Sequence, residues 1–252
     1  MSILLLSEIF PPRHGGSGRW FYELYRRLEP CTVTIVTQDN ADPGDQRVDA
    51  EFPQRIHRTA MASPSWGLLS VTGLVFYGRT LMRILSLKPS GLSQIHCGRT
   101  IPEGFIGLLL ARLLRKPLLC YVHGEDIEVA RTSRELTWIE HRVIRGADRL
   151  ICNSQNTKSL LMEHWHVPAK KIEVINPGVD EQTFCPAEPD PAFREKVGWD
   201  DRFVCLTVGR LQRRKGHDKM MEAIPEIKKE IPNILYAIVG QGDNYPNLVA
   251  EV

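Results

Sequence analysis

Short apolar runs recur along the chain, and each is followed by a stretch in which apolar residues return every three or four positions. The runs ILLLS, VTIVT, SQIHC, LLCYV, RLICN and IEVI predict strands near residues 2–7, 32–37, 93–97, 118–122, 149–153 and 172–175. Between them the spacing predicts helices over 17–28, 67–87, 102–115, 133–145 and 155–164. Ser154 suits the N-cap of the last helix, and Gly146 the end of the one before it. Strand and helix alternating in this way is the pattern of parallel strands joined by crossover helices. Residues 1–175 are therefore expected to form one doubly wound, Rossmann-like α/β domain.

The texture changes after Ile175. The stretch NPGVDEQTFCPAEPDPAFREKVGWDD is rich in proline and acid, and Pro177, Pro186, Pro189 and Pro191 are expected to spoil any regular element, so 176–201 reads as a linker. The rhythm then restarts with a strand over 203–208, a helix over 216–230, a strand over 234–239 and a helix beginning near Asn244. Two strands make a small sheet. Residues 202–252 are thus expected to be the first part of a second Rossmann-like domain, leaning on the first domain, on a partner or on further residues.

Composition narrows the classes. At 252 residues, with 42% hydrophobic and 25% charged, the chain has the make-up of an ordinary globular protein. A formal net charge of +2 is too small for a nucleic-acid-coating protein, so no nucleic-acid partner is expected. The six cysteines contain no C-x-x-C pair and read as small buried thiols in a reducing cytoplasm. MSILLLSEIF lacks the basic leader of a signal peptide, and WGLLSVTGLVFYG falls short of the ~20 residues that cross a bilayer. That stretch and its continuation to residue 88 place apolar residues at helical spacing beside Arg79, Arg83 and Lys88. It could lie peripherally on the inner face of an anionic membrane; packing against the sheet is the preferred reading.

In open parallel sheets ligands bind beyond the carboxyl ends of the strands, so the loops after each apolar run carry the candidate chemistry. PPRHGGSGRW, at 11–20, offers Gly15 and Gly16 for close backbone approach and a helix N-terminus for a phosphate; it is not G-x-G-x-x-G, and a flexible turn is the alternative. YVHGED places His123 at a strand's carboxyl end, where it is either a ligand contact or a structural histidine, with Glu125 and Asp126 as first-turn acids. VGRLQRRKG sets Arg210 one residue past a glycine and Lys215 five further on, a planar fork and a movable charge suited to a doubly charged anion. IVGQGD supplies Gly240 and Gly242. HWH at 164–166 lacks a third ligand nearby, and no D-x-D follows an apolar strand, so no metal site is expected.

Taken in order, FPPRHGGSGRW, HGED, ADRLICNSQNTKSLL, VINPGVD, VGRLQRRKG and VGQGD resemble the retaining glycosyltransferases of family 4, nearly end to end. The resemblance implies a GT-B-like fold: two Rossmann-like domains with a nucleotide diphosphate sugar as donor substrate in the cleft and no other cofactor. It implies that Gly16 and its glycine loop approach the donor diphosphate, that Arg210 and Lys215 grip it, that His123 lies near the transferred sugar, and that Gly240 and Gly242 lie near the nucleotide. The acceptor stays open among saccharide, lipid and small molecule. The family's E-x-x-x-x-x-x-x-E element beyond VGQGD has no counterpart before Val252. The resemblance therefore implies a carboxyl-terminally truncated second domain with low or absent activity of the chain by itself, or another polypeptide that supplies the rest; a non-catalytic domain that binds an acceptor or a partner is the rival reading.

Overall fold

A computed structural model describes residues 2–63, 65–87 and 91–250. The chain divides into two compact units, Met1–Val179 and Asp180–Val252. In the first, seven strands form one sheet in the order β3-β2-β1-β4-β5-β6-β7. They are β1 (Ser2–Ser7), β2 (Val33–Gln38), β3 (Arg55–Thr59), β4 (Leu92–Cys97), β5 (Leu118–Val122), β6 (Arg149–Cys152) and β7 (Ile172–Val174). Every pairing is parallel, with Leu5 of β1 opposite Ile35 on one side and His96 on the other.

Alternation along β1 sends its side chains into two separate cores. Leu4 and Leu6 join Ile95, Cys97 and Val122 in the larger one, covered by α4 (Phe105–Leu114), α6 (Arg134–Gly146) and α7 (Gln155–Trp165). Leu5 points the other way, to Ile35, Tyr121 and Ile151 beneath Phe10, Trp20, Phe21 and Tyr25. Three of those aromatics belong to α1 (Gly16–Tyr25). The helix expected from 67 begins later, as α3 (Val71–Ser86), where the Ser70 side chain accepts from the Gly73 N–H at 3.0 Å.

Several elements were not expected. β3 pairs with β2 at the sheet edge, α2 (Pro43–Glu51) precedes it, and α5 (Glu125–Ala130) follows β5. The proline-rich stretch is also corrected: α8 (Pro191–Lys196) forms there, because Asp190 accepts from the N–H groups of Ala192 and Phe193, and Pro191 occupies the first turn, where no N–H is needed. Of the cysteines, Cys97, Cys120 and Cys152 are buried, whereas Cys31 and Cys185 are exposed and Cys205 is intermediate, so the expectation of six buried thiols holds for three. No described helix is long and apolar enough to cross a membrane.

The second unit carries β8 (Phe203–Val208) and β9 (Ile234–Val239), paired in parallel through α9 (His217–Glu230), with α10 (Tyr245–Ala250) beyond. After α8, which belongs to the same unit, residues 203–250 form the expected β-α-β arrangement with one trailing helix.

Beneath α1, the Tyr25 hydroxyl lies 2.6 Å from His96 Nδ1 and 3.1 Å from the Tyr121 hydroxyl. Burial lowers the His96 pKa to about 4. Between that value and the ordinary ~6.5 the unfolded chain binds the extra proton, so His96 lends stability above pH 6.5 that is lost as pH falls towards 4. Urea unfolding at pH 7.5 and pH 5.0 is expected to show a loss in the wild type about 2 kcal/mol larger than in His96→Gln. Equal losses would mean that His96 is not held neutral.

Candidate functional site

The order of the seven-stranded sheet reverses at β1 and β4, whose following loops leave in opposite directions and open a crevice at their carboxyl ends. Arg99, just past β4, spans that point. Its Nε donates to Glu103 Oε1 and Oε2 at 3.1 and 2.9 Å, and its Nη2 to Glu8 Oε2. The Glu8 N–H in turn donates to Glu103 Oε1 at 2.8 Å, and Arg13 Nη1 to Glu8 Oε1 at 2.7 Å. Burial acts to lower the Arg99 pKa; Glu103 and Glu8 outweigh it and hold the guanidinium above its ordinary value. Two cations and two anions thus tie the β1 loop to the β4 loop, with Glu103 only 1% exposed. A buried pair of this kind is costly to break because the partner is left charged and unpaired.

His123 follows β5 and rests on the same loop. Its Nε2 lies 2.8 Å from the Gly98 carbonyl oxygen, which only accepts, so Nε2 carries a proton, and in the tautomer this contact selects Nδ1 is the accepting nitrogen. The ring meets Trp20 and Phe21 of α1 edge to face at 5.9 Å each. Gly124 turns the chain into α5 with φ 88°, a value that favours glycine. Asp126 proves to be more than a first-turn acid: it is buried, its Oδ1 accepts from the His123 N–H at 3.2 Å, and its Oδ2 accepts from Thr100 Oγ1 at 3.3 Å. Fully buried Glu140 is pushed well above the usual carboxyl range, first by burial and then by Asp126.

One turn before Trp20, α1 begins with Gly15 at its N-cap, no side chain capping the first turn and no acid within it, so its first N–H groups are unclaimed by side chains. The two glycines here differ. A Cβ on Gly15 would lie 2.7 Å from Ile9 Cγ2, whereas one on Gly16 would meet nothing within 4 Å. Gly15 is explained by packing, and Gly16 leaves open space above the helix end. Gly16 and His123 are therefore brought to the two ends of one short stretch of α1.

In the second unit the loops after β8 and β9 are bonded together. Gly209 N–H donates to Val239 O and Leu211 N–H to Gln241 O, both at 2.9 Å, and Asn244 N–H donates to Leu211 O at 3.0 Å. Gly240 and Gly242 allow this: Cβ atoms there would fall 1.8 Å from Gly209 O and 2.2 Å from Leu211 O. Their space is taken by the backbone that carries Arg210. Buried His217 at the start of α9 is 3.2 Å, through Nε2, from the Arg210 carbonyl oxygen and 3.4 Å, through Nδ1, from the Tyr236 hydroxyl. Lys215 ends a single tight turn, Arg213–Lys215, closed by Gly216 at φ 71°. The side chains of Arg210 and Lys215 are exposed and make no ion pair among the described residues. Among the described residues no group of three or more His, Cys, Asp or Glu is placed to hold a metal ion.

Sequence reading missed Glu8, Arg99, Glu103 and His217. Glu8, Arg99 and His217 each lie within two positions of a strand end or a loop glycine, and that position was the available signal; Glu103, in the helical turn before α4, offered none.

The glycines yield a contrast that stability can read. Gly16→Ala is expected to change stability by less than about 1 kcal/mol, since the site is helical and open. Gly240→Ala should cost about 1–3 kcal/mol or more, because backbone cannot yield as a side chain does. Hydrogen exchange at the β8 and β9 amides checks this: unchanged protection in Gly240→Ala would contradict the close loop pairing.

Comparison with known proteins places these features in a family. The model described as Glycosyltransferase Family 4 matches residues 14–183, and that described as Glycosyl transferases group 1 matches residues 189–252. The GDP-mannose-dependent alpha-(1-6)-phosphatidylinositol monomannoside mannosyltransferase of Mycolicibacterium smegmatis is 28% identical over 253 residues, 95% of this chain and 61% of that protein. The D-inositol 3-phosphate glycosyltransferase of Streptomyces scabiei is 33% identical over 241 residues, 89% of this chain and 53% of that protein. Anabaena HepE in complex with UDP and glucose superposes with a TM-score of 0.76 at 17% identity, over 100% of this chain and 64% of that one. Sucrose-phosphate synthase of Thermosynechococcus elongatus does so with a TM-score of 0.73 at 20% identity, over 99% and 67%. These structural likenesses bear on the fold, which is the GT-B-like α/β fold expected from sequence. The chain spans less than two thirds of the length of both curated relatives. On the match over residues 14–183, the protein belongs to glycosyltransferase family 4.

Proposed function

We propose that this protein serves the transfer of a hexose from a nucleotide diphosphate sugar to a hydroxyl acceptor, with retention of anomeric configuration and without a metal. Family membership carries the reading, and the exposed Arg210 and Lys215, with no carboxylate partner among the described residues, support it. When the bond between sugar and phosphate breaks, negative charge grows on the departing diphosphate. Two positioned cations stabilise that charge more than the bound donor, worth a few kcal/mol per group, and so accelerate the step. Gly16 provides unobstructed backbone at a helix N-terminus for the same kind of group. His123, whose Nε2 is held by the Gly98 carbonyl, turns Nδ1 to a sugar hydroxyl and accepts a hydrogen bond from it.

The chemical step follows from these roles. The acceptor oxygen bonds to the anomeric carbon on the face from which the diphosphate leaves, the carbon–phosphate oxygen bond breaks, and the acceptor proton passes to the departing phosphate oxygen. No base from the protein is then required. The names of the relatives support a nucleotide sugar donor, GDP-mannose in one and UDP with glucose in another, and two name an inositol that bears a phosphate. Inositol phosphates and phosphatidylinositol mannosides are therefore the first acceptors to try.

Isothermal titration with UDP-glucose and GDP-mannose is expected to show micromolar binding of at least one, weakened about tenfold or more by Arg210→Ala and by Lys215→Ala and unchanged by a chelator. Silence across a panel of nucleotide sugars would favour a non-catalytic domain that binds an acceptor or partner instead. His123→Ala is expected to act on the sugar and not on the diphosphate: affinity for the plain nucleoside diphosphate stays within about twofold, while the preference for the sugar-bearing form is lost. Equal weakening of both ligands would remove His123 from the sugar.

A further inference from the structure

The helix α3 is apolar on two opposite faces, and the fold uses one of them. Gly73, Tyr77, Thr80 and Ile84 recur at intervals of four, three and four and are buried. Tyr77 is fixed there by its hydroxyl, which donates to the Trp66 carbonyl oxygen at 2.7 Å, and by edge contact with Phe105 of α4 at 5.3 Å. Val71, Val75, Gly78 and Met82 recur at the same intervals on the far side and are exposed, with Leu74 beside them and Leu69 just before the helix. These five large apolar side chains are between 56% and 88% exposed. Packing against the first unit, the preferred reading of this segment from sequence, accounts for the first set alone. A helix that is apolar around most of its circumference belongs in a place where both faces are out of water.

Charge says what the second face meets. No Asp or Glu occurs between Glu51 and Glu103, and Glu103 is itself buried. Arg79 is exposed at the margin of the apolar stripe, and Arg83, one turn on, donates from Nη1 to Thr59 Oγ1. Beyond the end of α3, Arg112, Leu113 and Arg115 are exposed at the end of α4, where Leu85, Leu114 and Lys116 line one surface groove. Lys88 lies outside the described residues. Glu135, which lies beside the start of α3, is engaged by the Leu69 N–H at 2.6 Å. An apolar stripe flanked by cations, on a stretch of about fifty residues with no exposed acid of its own, is complementary to a layer whose headgroups are anionic and whose interior is hydrocarbon. A second copy of the chain fits less well, since five side chains around a glycine fall short of the roughly 20–30 residues per side of a specific protein interface.

We propose that the outer face of α3 seats the protein on an anionic lipid bilayer, with Val71, Leu74, Val75 and Met82 entering the headgroup boundary and Arg79, Arg112 and Arg115 at phosphate level. The proposal stands apart from the donor chemistry, because none of these residues has been placed near it. Flotation with vesicles of phosphatidylcholine containing 30 mol% phosphatidylglycerol tests it. The wild type is expected to float with these vesicles and at least tenfold less with pure phosphatidylcholine. The variant Val71→Ser/Val75→Ser/Met82→Ser, whose exposed positions leave the fold intact by circular dichroism, should lose at least tenfold in binding to the anionic vesicles. Arg79→Glu should weaken binding severalfold and remove part of its salt sensitivity. Failure of the wild type to float, flotation that ignores the triple serine change, or a dimer in solution that the same change converts to monomer would each overturn the proposal.

Discussion

Every strand pairing in both sheets is parallel, and this sends each segment that follows a strand out at the same edge of its sheet. Close-approach glycines, the histidine after β5 and the cations after β8 therefore gather at strand ends, where the strands of the first sheet are held on both faces and the two strands of the second hold one another. The first unit adds a second consequence. Where the strand order reverses at β1 and β4, no crossover helix fills the gap between the departing loops, and the protein closes it with charge. Arg99 between Glu8 and Glu103 holds the loop that presents the Gly98 carbonyl, and that carbonyl selects Nε2 as the donating nitrogen of the His123 ring. A structural ion pair thereby decides which nitrogen of a candidate sugar contact can accept.

The second unit reaches the same end by different means. Its sheet has only two strands, and the loops beyond them are stitched by backbone hydrogen bonds and not by buried ions. His217 adds one contact from α9 to the Arg210 carbonyl. Backbone is fixed here while the side chains of Arg210 and Lys215 stay exposed, which suits groups that must meet a ligand.

Much of this was legible in the sequence, and the misses have physical reasons. The buried strands announced themselves as apolar runs because both faces of the sheet are covered. β3 did not, since RIHRT is an edge strand with polar side chains and no fully buried residue. The helices α2 and α8 were hidden by their own prolines. Both begin Asp-Pro, Asp42–Pro43 and Asp190–Pro191, in which the acid caps and the proline fits the first turn, so Pro191, read as a breaker, was a start, and Pro43 is another. The glycines show a different limit. A missing side chain says that something comes close, and only coordinates tell whether it is Ile9 at Gly15, the chain's own backbone at Gly240 and Gly242, or open space at Gly16. Glu8, Arg99 and Glu103 lie up to 95 positions apart, and no local pattern joins them.

Whether the loop that carries Arg210 and Lys215 grips a diphosphate is tested most directly by following backbone amide resonances while a nucleoside diphosphate is added. Saturable shifts concentrated in residues 209–216, absent when the matching nucleoside is added instead, are predicted. Shifts elsewhere with that segment silent, or the same shifts with the nucleoside, would contradict it.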